Sequence, residues 1–226
     1  MKQYFFISIF LIFSGLLYGQ IGFHGAYKKF TANGWYDFLR RENAVNVGSL
    51  GGYAAGIDYW FRLKKKRIEF LPEISYEKYG KTLDGSEYGH EIIGFYFNTN
   101  IYPFDFGSDC DCPTWSKDGN LFTKGFFLQL SPGVWRLKNS IVSETTIEDD
   151  DVNWTIGAGA GLDVGVSDFL TLTPIVKFYY SPDNTWKNLP DVKGEPVEVT
   201  SSIQQLYAGI RLGFRWKQEG RPKRRR

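Results

Sequence analysis

The chain has 226 residues, with 27 Lys and Arg against 25 Asp and Glu, 18% aromatic residues, 25 glycines, two cysteines and one methionine. A charge balance so close to neutral argues against a general nucleic-acid binder, and the length suits one domain or one large all-β unit. Beyond residue 19 no apolar run reaches the ~20 residues of a membrane-spanning helix, which excludes a helical membrane protein.

The first segment, MKQYFFISIFLIFSGLLYGQ, sets Lys2 ahead of an uncharged apolar stretch from Tyr4 to Tyr18 that ends at Gly19. It reads as a secretory signal peptide over residues 1–19, cut between Gly19 and Gln20; with no cysteine at the cut, no lipid anchor is expected.

From Gln20 onward a period of two dominates, the mark of strands whose faces meet different surroundings. In chain order the alternating segments are 22–30, 49–63, 67–79, 90–104, 124–137, 152–167, 169–181 and 201–216, eight in all. In 152–167, Trp154, Ile156, Ala158, Ala160 and Leu162 oppose Asn153, Thr155, three glycines and Asp163. Those glycines alternate along a strand with no strand-to-helix break, so a nucleotide loop is not the reading, and no cofactor is expected. In 201–216, Leu206, Ala208, Ile210, Leu212, Phe214 and Trp216 form an apolar face against Gln205, Tyr207, Gly209, Arg211, Gly213 and Arg215. Several segments exceed the ~5–6 residues of an ordinary strand and match the ~9–11 that cross a bilayer at a tilt.

The second face carries Asp58, Arg62, Glu69, Glu73, Glu77, Asp163, Lys177, Arg211 and Arg215. Apolar residues outside and charges of both signs inside is the pattern of a membrane barrel. Eight strands leave an interior that side chains fill, and an unpaired buried charge is costly. The charges are therefore expected to form a paired lumen network. The row Glu69, Glu73, Glu77 would alternatively steer cations; pairing with Arg62, Lys177, Arg211 and Arg215 is the favoured reading. The fold class is all-β, an eight-stranded antiparallel up-and-down transmembrane β-barrel over residues 20–216, followed by a basic periplasmic tail over 217–226.

With a periplasmic amino terminus, the gaps 31–48, 80–89, 138–151 and 182–200 face outward as longer loops, while 64–66 and 167–168 are tight periplasmic turns. One gap departs from this rule: 105–123 should be a turn and has about twenty residues. The stretches ENAVN (42–46), SETTIEDDD (143–151) and SPDNTWKNLPDVKGEP (181–196) read as solvated external loops. The acids from Glu148 to Asp151 lack the glycine-turned spacing of a calcium loop.

The signal peptide, the eight segments, the aromatic-ended LYAGIRLGFRW and the hairpin GAGLDVGVSDFLTLTP together resemble small bacterial outer-membrane β-barrels of the OmpA/OmpX and PorT-like type. The resemblance covers nearly all of the mature chain through patterns rather than fixed residues. It implies a bacterial outer-membrane location, contact with outer-membrane lipids and lipopolysaccharide, and insertion by barrel-assembly machinery that reads the last strand, here Phe214 and Trp216. The chain departs from that pattern by continuing KQEGRPKRRR. Barrels of this type serve as anchors, adhesins, assembly or secretion accessories and, in a few cases, lipid-modifying enzymes.

Catalysis would need a histidine within reach of a nucleophile or carboxylate. His24 and His90 fall at opposite ends of the barrel, so no enzymatic activity is expected. The expected function is a closed-lumen scaffold or accessory that docks other envelope proteins through 105–123 and the tail residues Lys223, Arg224, Arg225 and Arg226. The alternative is a surface adhesin or receptor acting through the external loops. Cys110 and Cys112 sit in 105–123, facing an oxidising space. A disulfide between them is the favoured state; a metal site completed by His24, Asp109 or Asp111, free thiols, and a bond to a partner chain remain open.

Overall fold

Alternation becomes architecture through pairing. The computed structural model describes residues 20–63, 67–104, 121–143, 146–167 and 169–214; the signal peptide, Cys110, Cys112, Arg215, Trp216 and the basic tail lie outside them. The strands are β1 (Gln20–Ala32), β2 (Leu50–Arg62), β3 (Ile68–Leu83), β4 (Ser86–Ile101), β5 (Phe126–Val142), β6 (Thr146–Leu162), β7 (Val164–Gly165), β8 (Leu170–Pro190) and β9 (Pro196–Phe214). Two helices complete the described elements, α1 (Asn33–Asn43) between β1 and β2, and α2 (Leu121–Gly125) before β5.

All pairings are antiparallel, in the order β6-β5-β4-β3-β2-β1-β9-β8-β7, and β6 also pairs with β8. Since β7 resumes β6 after Asp163, the result is a closed eight-stranded barrel. Its stagger can be read from the register. From Ala26, hydrogen-bonded neighbours lead through Ala54, Glu77, Ile92 and Leu137 to Asp151 on β6, but the other way, through Gly209 and Ile175, to Gly161, ten residues along. Such an offset tilts the strands, as closure requires.

The two faces separate as alternation predicts. Outward lies an apolar belt that includes Ile74, Phe95, Leu130, Ile156, Val176 and Ile210, all more than a third exposed. It spans nine residues on β6 (Trp154 to Leu162) and on β9 (Leu206 to Phe214), close to the ~9–11 of a tilted crossing. Tyr27, Tyr53, Tyr76, Trp154 and Tyr180 mark its edge away from the chain termini. Beyond that edge run cross-strand ion pairs, Lys78–Glu91 at 3.2 Å, Lys138–Glu148 at 2.9 Å and Arg136–Asp150 at 2.7 Å. Aromatic residues at a boundary, followed by charge, delimit the height of a lipid-facing surface.

Above the belt the structure corrects the expected loops. Residues 80–89 are not a ten-residue loop: the strands continue to a two-residue turn, Asp84-Gly85, both with positive φ (49° and 80°), the backbone for which Asp-Gly is suited. The acids of 143–151 lie mostly on β6, and 182–200 is mostly strand, with only 191–195 between β8 and β9. The gap 31–48 holds α1. Its Gly34 N–H is capped by Ser201 Oγ on β9 at 2.9 Å, and it ends at Ala44 in the left-handed region (φ 56°). Trp35, Tyr36 and Leu39 turn inward and are buried. Trp35 Nε1–H donates to Val199 O at 2.8 Å and its ring stands edge-on to Trp186 at 5.4 Å. With Phe30, Leu50, Ile92, Leu137 and Ile203 they build a dry core across the mouth.

One wall is constructed differently. The β6–β8 ladder covers only Ile156–Gly161 against Ile175–Tyr180, because β8 shifts register against β9 between Ser181/Asn184 and Trp186/Leu189 and bulges redirect a strand. Above it, side chains take the place of the ladder. Asp151 Oδ2 accepts Thr185 N–H at 3.0 Å, Asp149 Oδ2 accepts Lys187 N–H at 2.8 Å, and Asn188 Nδ2 donates to Glu148 O at 3.2 Å. Asn153 Nδ2 likewise donates to Asp183 O. The acidic run is thus a seam that satisfies the backbone of an open strand edge.

Replacing Trp35 by Ala removes the centre of the mouth core and is expected to destabilise the barrel by about 3–5 kcal/mol. Urea unfolding in lipid vesicles checks this. Protease cleavage within 33–43 should rise in parallel.

Candidate functional site

The inward face places most of the expected charges in one column. At its centre Lys28 and Glu77 meet at 2.6 Å, and both are almost completely buried. Glu77 also accepts the hydroxyl protons of Tyr79 at 2.5 Å and Tyr96 at 2.9 Å. The Lys28 ammonium lies over the rings of Tyr179, Tyr207 and Tyr96 at 4.7, 5.7 and 5.9 Å. A buried ion pair is tolerable only with its remaining hydrogen-bond capacity filled, and the tyrosines fill it.

Toward the termini, Glu73 faces Lys177 at 3.7 Å and His24 Nε2 at 3.3 Å, and accepts from Asn98 Nδ2 at 2.6 Å. Next comes a bidentate bridge from Arg211 to Asp58, at 2.6 and 2.7 Å. It runs from β9 to β2 over β1, where a Cβ on Gly22 would come within 2.5 Å of the Asp58 carboxylate; only glycine leaves the bridge its space. At this end Glu69 and Asp163 converge on Tyr102, with Trp60 and Thr173 as further donors.

Arg62 lies at the exposed end of β2, opposite Glu69 in the β2–β3 register. Arg215 and the tail residues Lys223 to Arg226 are outside the described residues, as are Cys110 and Cys112. Sequence reasoning passed over Lys28, although 22–30 was read as alternating and position 28 belongs to its inner face. It placed Tyr207 on the inward face but gave no part to the inward tyrosines 79, 96, 102 and 179, or to Arg67, whose guanidinium stacks on the Tyr102 ring at 4.1 Å.

His90 lies at the far end, as its sequence position implied, within the mouth core. It stacks on Phe30 at 4.4 Å. Asn139 Oδ1, which can only accept, faces His90 Nδ1 at 2.8 Å, so the ring proton sits on Nδ1. His90 Nε2 is then the acceptor for Tyr36 O–H at 3.1 Å. Among the described residues no group of three or more His, Cys, Asp and Glu side chains is placed to hold a metal ion.

Space in this column is scarce. The vestibule between His24, Glu69, Asp163 and Arg211 offers about 30 Å³ to water, room for about two water molecules at ~10–15 Å³ each. The mouth core closes the other end. Among the described residues, the space in this vestibule is of the size of water rather than of a larger solute.

No protein-family model matches the chain, and no curated protein matches it. Among solved structures it is similar to Neisserial surface protein A (NspA), with 13% identity, TM-score 0.47 and coverage of 86% of this chain and 96% of that one. It is also similar to Ail, the attachment invasion locus protein of Yersinia pestis (12% identity, TM-score 0.44, 85% and 97% covered). A third is the N-terminal β-barrel domain of Pseudomonas aeruginosa OprF (14%, 0.41, 87% and 99%). The likeness lies in barrel architecture and carries no residue role to this chain.

Removing one partner of the central pair strands a buried charge. Lys28→Met is expected to cost about 3–5 kcal/mol, and adding Glu77→Gln should recover most of that loss. A double-mutant cycle on urea unfolding in vesicles measures the coupling; additive effects would disprove it.

Proposed function

We propose that the chain is an integral barrel of the bacterial outer membrane that conducts no solute and serves as a scaffold. The observation that carries this reading is the filled lumen: an apolar core across the mouth, caged ion pairs in the middle and water-sized space at the end. The lipid-height belt supports its residence in a bilayer, with outer-membrane lipids and lipopolysaccharide as neighbours. The long hairpins point outward and the chain termini toward the periplasm. Docking of other envelope proteins then falls to 105–123 and to the tail, Lys223 to Arg226, which offers cations to acidic or phosphate-rich partners. The reading includes no catalytic step: His24 is engaged with Glu73 and His90 is enclosed by aromatic rings.

A second reading is favoured by one observation. β8 and β9 continue as paired strand to Pro190 and Pro196, well beyond the belt, and so hold a stiff polar hairpin away from the membrane. Stiff projections suit recognition of an external surface, since less ordering entropy is lost on binding.

Purified protein in planar lipid bilayers is expected to give no steady conductance; an ohmic channel in every insertion would overturn the closed-lumen reading. Capture in mild detergent, with and without residues 217–226, separates the two roles. A scaffold loses envelope partners when the tail is removed, whereas an adhesin keeps its binding to cell surfaces and loses it when 191–195 is replaced by a shorter turn.

A further inference from the structure

At the terminal end, Tyr102 Oη lies 2.8 Å from Glu69 Oε2 and 2.5 Å from Asp163 Oδ2. A phenol has one proton to donate. With both acids ionised, it serves one carboxylate and sets its bare oxygen against the other. The remaining donors do not resolve this. Trp60 Nε1–H goes to the same Glu69 oxygen at 2.6 Å, and Thr173 Oγ–H goes to Asp163 Oδ1 at 2.6 Å.

Among the described residues, the neighbouring charges each make a contact besides any with these two acids. From β2 and β9, Asp58 and Arg211 bind each other in bidentate fashion. From β1, β3 and β8, His24 and Lys177 both face Glu73. Arg67, whose guanidinium lies over the face of the Tyr102 ring, also acts electrostatically on Glu69. From β4 and β5 come the neutral amides of Asn100 and Gln129, joined at 2.6 Å.

We propose that Glu69 and Asp163 hold one proton between them through Tyr102, making the vestibule a proton-binding site. Glu69, as the carboxylic acid, donates to Tyr102 Oη, and Tyr102 donates to the Asp163 carboxylate. The proton comes from vestibule water and returns to it, and no bond between heavy atoms changes. Tyr102 directly follows β4, and Asp163 is the break between β6 and β7, so the proton fastens two separate parts of the rim. Its loss leaves two carboxylates competing for one donor, and Tyr102 keeps only one of them.

Infrared difference spectra of the folded protein in H₂O and ²H₂O at neutral pH test this. The expected result is a protonated-carboxyl carbonyl band, sensitive to ²H₂O, that is lost in Glu69→Gln and in Asp163→Asn and kept in Glu73→Gln. No such band in the wild type, or a band unchanged by both Glu69→Gln and Asp163→Asn, overturns the proposal. Heat-modifiable gel migration verifies that each variant is folded. Should the carboxyl variants not fold, Tyr102→Phe provides the reading: a shifted band supports the shared proton, and an unmoved band refutes it.

Discussion

Among the described residues, a charge on the inward face of this barrel needs a partner within the protein, because an apolar belt surrounds it and little water-sized space lies beside it. This single constraint organises the interior. Lys28, Glu77, Glu73, Lys177, Asp58 and Arg211 are all on membrane-level strands, and each reaches an opposite charge on a strand that is not its neighbour in the sheet. Lys28–Glu77 and Asp58–Arg211 therefore brace the wall across an intervening strand, and Glu73–Lys177 ties β3 to β8 on the opposite side. Where carboxylate capacity exceeds the cations, tyrosines complete it, and their rings also occupy volume that water would otherwise take. Polar satisfaction and space filling are one solution here.

The barrel then divides along its axis into two kinds of interior. Near the termini it is a hydrogen-bonded network with a little room for water. Beyond the outer aromatic edge it becomes an ordinary hydrophobic core, with Trp35, Trp135, Trp186 and Leu39 packed as in a globular domain. The strands are free to extend past the bilayer because this second core stabilises them there. The 21-residue β8 is the clearest case.

Much of this was legible in the sequence, and the boundary of legibility follows the membrane. At lipid height the two faces of a strand meet opposite media, so Leu206 through Phe214 declared both the strand and its orientation. Past that height the outward face is polar too, and Glu148 to Asp151 or 182–190 lost the contrast that marks a strand; they read as loops. The helix carried a signal in the spacing of Trp35, Tyr36 and Leu39, obscured by its short span and charged flanks. The partner of Glu77 was hidden for another reason. Alternation tells which face Lys28 occupies, but β1 and β3 are separated by β2, and only closure with its stagger brings the two side chains to the same level.

The placement of α1 also orders assembly. The helix follows the first strand, yet its anchors, Ser201 Oγ and Val199 O, belong to the last. A sheet still lacking β9 offers neither the Ser201 hydroxyl nor the Val199 carbonyl to the helix, and a sheet that has just joined β9 to β1 acquires both together with its final edge. Sealing the wall and sealing the mouth are thus a single cooperative event of long sequence separation, slow by the logic of chain closure. An incompletely zipped barrel would be open at its side and at its top together.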